Sequence, residues 1–587
     1  MKDFFKFLFA SCLGTFVALF LLFFVIVGSI GAIAGAGQQP VSVAANSVLH
    51  LKFDKPVPEL TDNVQPTDFE FKPVSTPGLS DIVATIETAA NDDNIKGIFL
   101  EPGVMMIGFT QTAVVRQALL DFKDSGKFIY AYSPSYTQNA YYLSSVADEL
   151  YLAPMGIVDF RGFSTTPLFF KDAMDRLNID AEVFYAGKYK SASEPFRRNS
   201  MSEESKDQTR ILLNDLYRQL RRDIASARNL SPETVDALAS DFTGLDTDAA
   251  QSSGLVDKIA YREALLDKMR EAIGLDEDEK IKSVDVLDYL NGSVEKGTSG
   301  ERIAVLYAEG NIIDGESEPS QIGDVTYVEM IEKIRKDDDI KALVLRINSG
   351  GGSAMSSDHI WRALMDLKTT GKPLVVSMGS VAASGGYYIA APADHIYAEE
   401  STITGSIGVV APFPQMQNFF KQTLGLHFDS VRTHPYATGL NPIFDLSPSE
   451  KAKINALTQR TYKLFKERVA EGRGMDTSAV QEIAQGRVWM ANDAQRVGLV
   501  DEIGGLDEAI EKAAGLADLD EYQTVDFPKA KPPFERLLED FTEINTMYEQ
   551  RQLRKQLGSA YPYYQYVQEV TQTAGVQARM PFLWLDK

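Results

Sequence analysis

The sequence repeats itself once, and the spacing between the two copies stays near 245 residues. Four segments of the first half return in the same order in the second half: residues 95–100 as 340–345, 126–129 as 371–374, 141–148 as 387–394, and 253–257 as 497–501. Strands of α/β proteins often look alike, but chance likeness does not keep one offset through four matches. Because a repeat decides the number of folding units, we predict two diverged copies of one domain.

Each copy alternates short apolar runs with longer helical patterns. Runs such as residues 340–345 are almost wholly apolar, which is typical of strands buried on both faces of a sheet. We therefore predict an α/β fold with two tandem domains, an N-terminal repeat at 46–296 and a C-terminal repeat at 297–527. An acidic and then turn-rich stretch at 276–300 marks the junction. Residues 528–587 follow as a tail that we expect to be helical and without catalytic residues.

The N-terminal segment carries no charge from residue 7 to residue 37, and residues 13–33 are nearly all apolar. About 20 such residues span a bilayer as a helix, whereas the apolar part of a cleaved signal peptide has about 7–15. We therefore expect residues 1–37 to be a cytoplasmic N-terminus and an uncleaved transmembrane anchor, with removal as a signal peptide as the alternative. Lys2 and Lys6 precede the segment, and the next basic residue is Lys52. This asymmetry predicts a single-pass protein of the inner membrane with an extracytoplasmic, periplasmic body.

The charge balance excludes some kinds of partner. The chain has 82 acidic and 58 basic residues, a net charge of −24, and nucleic-acid binding needs concentrated Lys and Arg instead. Its single cysteine, Cys12, allows neither an intrachain disulfide nor a cysteine metal site. We therefore expect no nucleic acid, no metal and no cofactor.

The two copies differ at places that carry chemistry. In the second copy, a predicted strand at 342–347 runs into the glycine-rich residues 348–353, and a predicted helix follows at 357–367. Glycines let backbone N–H groups approach a ligand, and a helix N-terminus adds positive potential, which together suit an oxyanion or a phosphate. The first copy has no such loop at residues 101–106.

Ser384 follows about 30 residues later, between Ala382-Ala383 and Gly385-Gly386. Small neighbours are what a nucleophile needs if a substrate carbonyl is to come close. The first copy has Gln138 or Asn139 at this place, depending on a one-residue gap. A serine nucleophile also needs a base, and the five histidines fall into no triad pattern. The first copy instead offers Lys188 and Lys190, which the second copy lacks.

These segments resemble the signal peptide peptidase family (SppA, or protease IV) in its long, two-repeat, membrane-anchored form. The likeness rests on Tyr189-Lys190-Ser191-Ala192, on residues 348–353, on residues 382–387 and on residues 404–408. It implies two tandem domains similar to the ClpP and crotonase group, and a serine protease that hydrolyses signal peptides left in the membrane. One departure is Gly350, where the family often has proline.

The resemblance also implies the roles of the site residues. Ser384 is then the nucleophile, Lys190 the general base, and Ser406 a residue that orients the lysine. The N–H groups of Gly351 and Gly385 then form the oxyanion hole.

The choice of the lysine is open on the residues alone. Lys188 and Lys190 are two positions apart and share a face of an extended segment, so periodicity does not separate them; the family motif favours Lys190. A free lysine titrates near 10.4, so a lysine base must be desolvated and must lie away from carboxylates. We expect burial between the two repeats to supply this, and separately expressed halves to be inactive.

The expected partners follow from the resemblance. They are signal peptides and other apolar peptides as substrates, a lipid bilayer through the N-terminal helix, and further copies of the chain in a homo-oligomeric ring such as a tetramer. Two other functions compete with this prediction. One is a crotonase-like acyl-transfer enzyme, which also pairs a glycine-rich turn with an oxyanion pocket, and the other is a non-catalytic peptide-binding scaffold at the membrane.

Overall fold

The structure is a computed structural model that describes residues 43–63, 76–293, 300–529 and 576–580, with isolated residues and short stretches between 4 and 21 and between 553 and 564. Residues 22–33 of the predicted membrane segment at 13–33 lie outside these residues, as does most of the helical pattern that the tail shows at 534–557. Within the described ranges, no helix combines the length and the apolar character that crossing a bilayer requires.

The strands alternate with helices along most of the chain, as the apolar periodicity predicts. The strands are β1 (Ser47–Lys52), β2 (Ile95–Glu101), β3 (Phe128–Ser133), β4 (Glu149–Leu152), β5 (Asp180–Ala186), β6 (Lys258–Ile259), β7 (Lys282–Val284), β8 (Arg302–Glu309), β9 (Asn311–Ile313), β10 (Gln321–Gly323), β11 (Ile340–Ser349), β12 (Gly351–Ser353), β13 (Leu374–Ala383), β14 (His395–Ala398), β15 (Ile403–Gly405), β16 (Val409–Gln415), β17 (Val488–Met490), β18 (Glu502–Ile503), β19 (Gln523–Phe527) and β20 (Gln577–Arg579).

The α-helices are α1 (Leu79–Asn91), α2 (Phe109–Lys123), α3 (Gln138–Ser144), α4 (Lys171–Arg176), α5 (Glu194–Arg197), α6 (Glu203–Ala227), α7 (Pro232–Ser240), α8 (Thr247–Ser252), α9 (Arg262–Ile273), α10 (Val286–Ser293), α11 (Asp324–Lys336), α12 (Ala354–Lys368), α13 (Gly385–Ala390), α14 (Pro448–Arg473), α15 (Thr477–Ile483), α16 (Ala491–Arg496) and α17 (Leu506–Leu516). Two 3₁₀ turns lie at Ser191–Ser193 and Thr243–Leu245, and a π-helical turn lies at Phe419–Thr423.

The two copies of the repeat build the same parallel sheet. In the first half the strand order is β6-β4-β3-β2-β1-β7. In the second half the corresponding order is β18-β14-β13-β11-β8-β19, and β15 and β17 extend this sheet beside β13. Each sheet is covered by helices on its faces, and each half has its own large apolar core. This is the arrangement expected of parallel sheets, whose strands are apolar on both sides.

A third sheet joins parts of the chain that are far apart in sequence. Its order is β10-β9-β12-β20-β16-β5. Strand β5 comes from the first repeat and pairs antiparallel with β16 of the second, from Ala186 opposite Val409 to Asp180 opposite Gln415. Strand β20 comes from the tail, so the tail contributes a strand in addition to its helical residues. The sequence repeat predicts neither pairing, because β5 leaves its own copy and β20 belongs to the tail, which has no counterpart in the repeat.

An apolar cluster also closes the boundary between the halves. It contains Leu212 and Leu216 of helix α6 in the first half, and it is completed by residues of the second half and the tail, namely Ala383, Ile403, Val488, Met490 and Met580. Burial of such side chains stabilises the closed arrangement by about 25 cal/mol for each Å² of apolar surface removed from water. The cluster includes Ala383, which directly precedes Ser384.

Candidate active site

Ser384 lies at the sharp turn between strand β13 and helix α13 and is fully buried. Its backbone has φ 56° and ψ −114°, a conformation that residues with a Cβ atom seldom adopt. The N–H group donates to the carbonyl oxygen of Gly405 at 2.8 Å, and the carbonyl oxygen accepts from the N–H of Tyr388 at 2.8 Å. The surroundings thus hold a strained turn, and strain of this kind concentrates at functional sites.

Lys190 reaches Ser384 from the other repeat. It follows strand β5, whose pairing with β16 carries this part of the first half into the second. The Lys190 Nζ atom lies 2.7 Å from the Oγ atom of Ser384. It also lies 2.9 Å from the carbonyl oxygen and 3.0 Å from the Oγ atom of Ser406. The structure therefore brings together the three residues to which the resemblance assigns the nucleophile, the base and the orientation of the lysine.

Burial lowers the pKa of Lys190 well below its usual range, because an apolar environment disfavours the charged amine. The side chain is 1% exposed, and no acidic residue within the described ranges forms an ion pair with it. A neutral amine has two N–H donors and one lone pair. In the neutral form, the two oxygens of Ser406 accept the two N–H groups, and the lone pair then faces the Ser384 hydroxyl at 2.7 Å.

Lys188 lies elsewhere. Its side chain is exposed, and its Nζ atom lies 4.9 Å from the centroid of the Tyr189 ring. The two lysines that periodicity does not separate are thus separated by the turn after β5, which buries Lys190 and leaves Lys188 in solvent.

The turn that carries Lys190 packs on a glycine of the second repeat, Gly486. Its φ is 72°, and a Cβ atom there would lie 2.6 Å from the Cβ atom of Lys190, which is too close for any other residue. The N–H of Tyr189 donates to the Gln485 carbonyl oxygen at 2.9 Å, and the N–H of Ser406 donates to the Arg487 carbonyl oxygen at 2.7 Å. The turn at residues 485–487 therefore positions both Lys190 and Ser406. The sequence pattern gives no sign of this role, because a lone glycine before a strand is common in ordinary turns.

The glycine-rich segment lies beside Ser384. Gly351 has φ 97°, and a Cβ atom on it would lie 2.6 Å from the backbone nitrogen of Gly385. Gly385 is the first residue of α13, where N–H groups have no acceptor within the helix. The N–H of Gly351 donates to the Oγ atom of Ser349 at 3.1 Å. The two predicted oxyanion glycines are thus neighbours, and the N–H of Gly351 is bonded to Ser349 in this structure.

The elements around this segment are longer than the sequence pattern indicates. Strand β11 covers Ile340–Ser349 and exceeds the predicted strand at 342–347 on both sides. Helix α12 begins at Ala354, three residues before the predicted start, because the Oγ atom of Ser353 accepts the N–H of Ser356 and caps the helix. Serine at this position is a strong N-terminal helix signal.

The tail strand β20 runs antiparallel along the glycine-rich strand β12, with Arg579 opposite Gly351 and Ala578 opposite Gly352. The carbonyl oxygen of Ala578 lies 2.1 Å from the position of a Cβ atom on Gly351 and 3.2 Å from that of a Cβ atom on Gly385. An extended backbone therefore fits along β12, and one of its carbonyl groups then reaches the two glycines.

The equivalent place in the first repeat is occupied by two polar side chains that form hydrogen bonds with backbone groups. The Oε1 atom of Gln138 accepts the N–H groups of Arg161 at 3.1 Å and Gly162 at 2.8 Å. Asn139 donates its side-chain N–H to the carbonyl oxygen of Ile107 at 3.2 Å. At this place the first repeat thus has no serine, and it brings Lys190 to Ser384 of the second repeat instead. In the part of the chain that the structure describes, no group of three or more His, Cys, Asp and Glu side chains is placed to hold a metal ion.

Comparison with known proteins adds the family. The sequence model of peptidase family S49 matches this chain twice, at residues 121–276 and 366–520. The two matches start 245 residues apart, which is the spacing of the repeat. The first contains Lys190, and the second contains Ser384 and Ser406.

Relatives cover most of the chain. Protease 4 of Haemophilus influenzae is 36% identical over 463 residues, which is 75% of this chain and 73% of the relative. Protease 4 of Salmonella typhi is 35% identical over 471 residues, 77% of this chain and 74% of the relative. The chloroplastic serine protease SPPA of Arabidopsis thaliana is 32% identical over 502 residues, 84% of this chain and 72% of the relative. With the S49 domain present twice and long relatives matched over most of their length, this chain belongs to peptidase family S49 and is a serine-type protease.

Proposed function

We propose that this protein is a membrane-anchored serine endopeptidase that uses Ser384 and Lys190 as a catalytic dyad and degrades signal peptides that remain in the membrane after protein export. The observation that carries the dyad is the 2.7 Å contact between the Lys190 Nζ and Ser384 Oγ atoms, in a buried place between the two repeats. A buried hydroxyl next to a desolvated amine is the arrangement that nucleophilic catalysis by serine requires.

In the first step, the neutral amine of Lys190 takes the hydroxyl proton of Ser384 while the Oγ atom attacks a peptide carbonyl carbon. The carbonyl oxygen gains negative charge, which the N–H groups of Gly385 and Gly351 stabilise. The lysine then gives its proton to the leaving amine, and an acyl-enzyme ester remains on Ser384. Water next loses a proton to Lys190 and attacks the ester, which releases the acid product and restores both residues.

Ser406 orients the base in this scheme. Its carbonyl oxygen and Oγ atom hold the two N–H groups of Lys190. Rotation of the amine is therefore restricted, and the lone pair faces Ser384. Held geometry of this kind raises the rate because the reacting groups need not search for each other.

The substrate backbone binds as a strand along β12, in the place that β20 takes in the free chain. Antiparallel pairing gives affinity through main-chain hydrogen bonds, and side-chain pockets give selectivity. The pairing of Ala578 with Gly352 supports this binding mode. Met580 lies in the apolar cluster with Leu212, Leu216 and Met490, so the adjoining surface suits apolar side chains such as those of a signal peptide.

The proposal includes a location and an assembly. Residues 1–37 anchor the chain in the inner membrane, and the body lies on the periplasmic side. Each repeat has a fold like that of the ClpP and crotonase group, and the chain forms a homo-oligomeric ring such as a tetramer. The uncharged stretch at 7–37 supports the membrane anchor. The shared strand order of the two sheets supports a common fold of the two repeats.

The activity should rise with pH to a plateau, and the pKa of Lys190 should set the midpoint of this rise. The amine acts as a base only when neutral, and burial holds its pKa well below 10.5. Below that pKa the amine is protonated and kcat/KM falls tenfold for each pH unit; above it kcat/KM reaches a plateau. A pH profile of kcat/KM with a soluble peptide measures this directly. A limb that follows an ordinary lysine near 10.4 contradicts a buried base.

Degradation of a leader peptide inserted in lipid vesicles tests the proposed function. The full chain, reconstituted in the same vesicles, should cut the leader peptide into fragments, while a folded soluble protein added outside should survive. Mass spectrometry of the products reads the cleavage sites. Cleavage of soluble peptides with none of the membrane-inserted leader contradicts the substrate but leaves the protease intact.

A serine-reactive phosphonate separates the competing functions. A peptidase should be labelled once per chain at Ser384. Binding of the leader peptide without labelling or cleavage indicates a scaffold instead, and turnover of an acyl-CoA thioester without peptide cleavage indicates a crotonase-like enzyme. Either outcome refutes the proposal.

A further inference from the structure

The boundary between the repeats contains a second buried contact that the mechanism does not use. Glu59, from the segment after β1, is 2% exposed although it belongs to the first repeat and faces strand β11 of the second. Its Oε2 atom accepts the Arg346 Nε–H at 2.9 Å, and both side chains are almost wholly removed from solvent. A buried charge pair is costly to desolvate, so its stability alone is a weak reason for its presence.

Acidic groups outnumber the arginine in this cluster. Arg346 also donates to the Oε1 atom of Glu399 at 3.3 Å and to Ser377 at 2.8 Å. The backbone N–H of Glu59 donates to the carboxylate of Glu309. Burial raises the pKa of Glu399 to about 7, and it raises the pKa of Glu309, as expected of acids that lack a counter-charge of their own. Of the two acids that bind the guanidinium, Glu59 lies closer, at 2.9 Å against 3.3 Å for Glu399.

The carboxylate of Glu59 also binds Asn348, which begins the glycine-rich segment. The side-chain amide of Asn348 donates to the Oε1 atom of Glu59 at 3.2 Å. Its Oδ1 atom accepts the backbone N–H of Val381 at 3.2 Å. Val381 lies on β13, three residues before Ser384. A single amide therefore ties the first repeat to the start of the oxyanion segment and to the strand that ends at the nucleophile.

These bonds fix one orientation of the amide. The Glu59 carboxylate only accepts hydrogen bonds, and the Val381 N–H only donates. Asn348 must therefore direct its nitrogen to Glu59 and its oxygen to Val381. If the carboxylate is lost, Val381 still holds the amide oxygen, but the amide nitrogen loses its partner, and the glycine-rich segment is no longer tied to the first repeat.

We propose that Glu59 is a positioning residue for the reaction, which acts through Asn348 to hold the glycine-rich segment in register with Ser384. The first repeat then supplies two things to the active site of the second: the base Lys190 and the carboxylate that aligns the oxyanion donors. This inference rests on the proposed Ser384 chemistry, and it adds a residue that touches neither substrate nor nucleophile.

The test compares Glu59→Gln with the wild-type chain. Glutamine keeps the size but presents one donor group where two acceptors are needed, so it cannot satisfy Arg346 and Asn348 together. We expect kcat to fall about 10- to 100-fold, less than the loss of an oxyanion donor itself, with KM within about threefold. The rate of phosphonate labelling at Ser384 should fall by the same factor. The inflection of the pH profile should not move, because Glu59 does not contact Lys190.

Three further variants separate positioning from stability. Asn348→Ala should reproduce the loss in kcat, and the double variant should lose no more than either single variant, because residues that act in series are not additive. Thr110→Val is the matched control. It removes the two buried hydrogen bonds between Thr110 and Ser401 across the same boundary, and should lower the unfolding temperature while kcat stays near wild type.

Several outcomes overturn the proposal. They are an equal loss of kcat in Thr110→Val, losses in Glu59→Gln and Asn348→Ala that multiply in the double variant, or wild-type kcat in Asn348→Ala. Should Glu59→Gln not fold, Asn348→Ala alone decides between a positioning and a purely structural role. A wild-type chain that neither cleaves peptides nor reacts with the phosphonate instead refutes the proposed function.

Discussion

Replacement of Ser384 by alanine should lower kcat/KM by at least about 10⁴-fold, because no other group can form the acyl-enzyme. The fold should persist. Alanine tolerates the same backbone region as serine. Among the described residues, the substitution removes one side-chain hydrogen bond, the bond between the Oγ atom and Lys190. Hydrolysis of a fluorogenic peptide and a thermal melt measure the two effects separately.

Ser380→Ala provides a matched control for this substitution. Ser380 lies four residues earlier on β13, and its buried Oγ atom has no hydrogen-bond partner among the residues that the structure describes. This variant should keep wild-type activity and phosphonate labelling, whereas Ser384→Ala should lose both. Labelling that persists in Ser384→Ala would assign the nucleophile to another residue.

Replacement of Lys190 by methionine should lower kcat/KM by about 10³- to 10⁴-fold, since the serine hydroxyl then has no base. Lys190→Arg should not restore activity, because a guanidinium stays charged at any working pH. Lys188→Met is the control: its side chain is exposed, and activity should stay near wild type. The reverse pattern, with activity lost in Lys188→Met and kept in Lys190→Met, refutes the assignment of the base.

Lys190→Met should also unfold at a higher temperature than the wild type near neutral pH. The folded chain holds Lys190 neutral at a pH where the unfolded chain binds a proton, because burial lowers its pKa in the folded state. Wild-type stability therefore rises with pH between the lowered pKa and 10.5. The advantage of Lys190→Met should shrink as the pH approaches 10.5, which thermal melts over a pH series can follow.

Local patterns in the sequence predict the two sheets well. The apolar runs at 95–100 and 340–345 become β2 and β11, since a run of this kind is stable only where both faces are buried. Comparison of the copies also finds Ser384 and the glycine-rich segment, because a residue type that one copy has and the other lacks stands out against a common background. The comparison finds the lysine only as one of two candidates, Lys188 and Lys190. The turn that packs on Gly486 then buries Lys190 and leaves Lys188 exposed.

Contacts between distant segments are what the sequence does not predict. The pairing of β5 with β16 and of β20 with β12 depends on how the two finished domains meet, and no local periodicity records that. Glu59 gives a weaker case of the same kind. The charged Arg346 inside the apolar run 340–347 signals that a buried acid must lie nearby, but which of 82 acidic residues supplies it is decided by the packing of the halves.

The position of β20 also has a practical consequence for how the protein is handled. Met580, the residue after β20, donates its N–H to the carbonyl oxygen of Gly350 at 2.8 Å, and Arg579 pairs with Gly351. A protease that cuts the chain before residue 576 therefore removes the strand that lies along the glycine-rich segment. A preparation shortened in this way differs from the intact chain beside Ser384, even though Ser384 and Lys190 are unchanged.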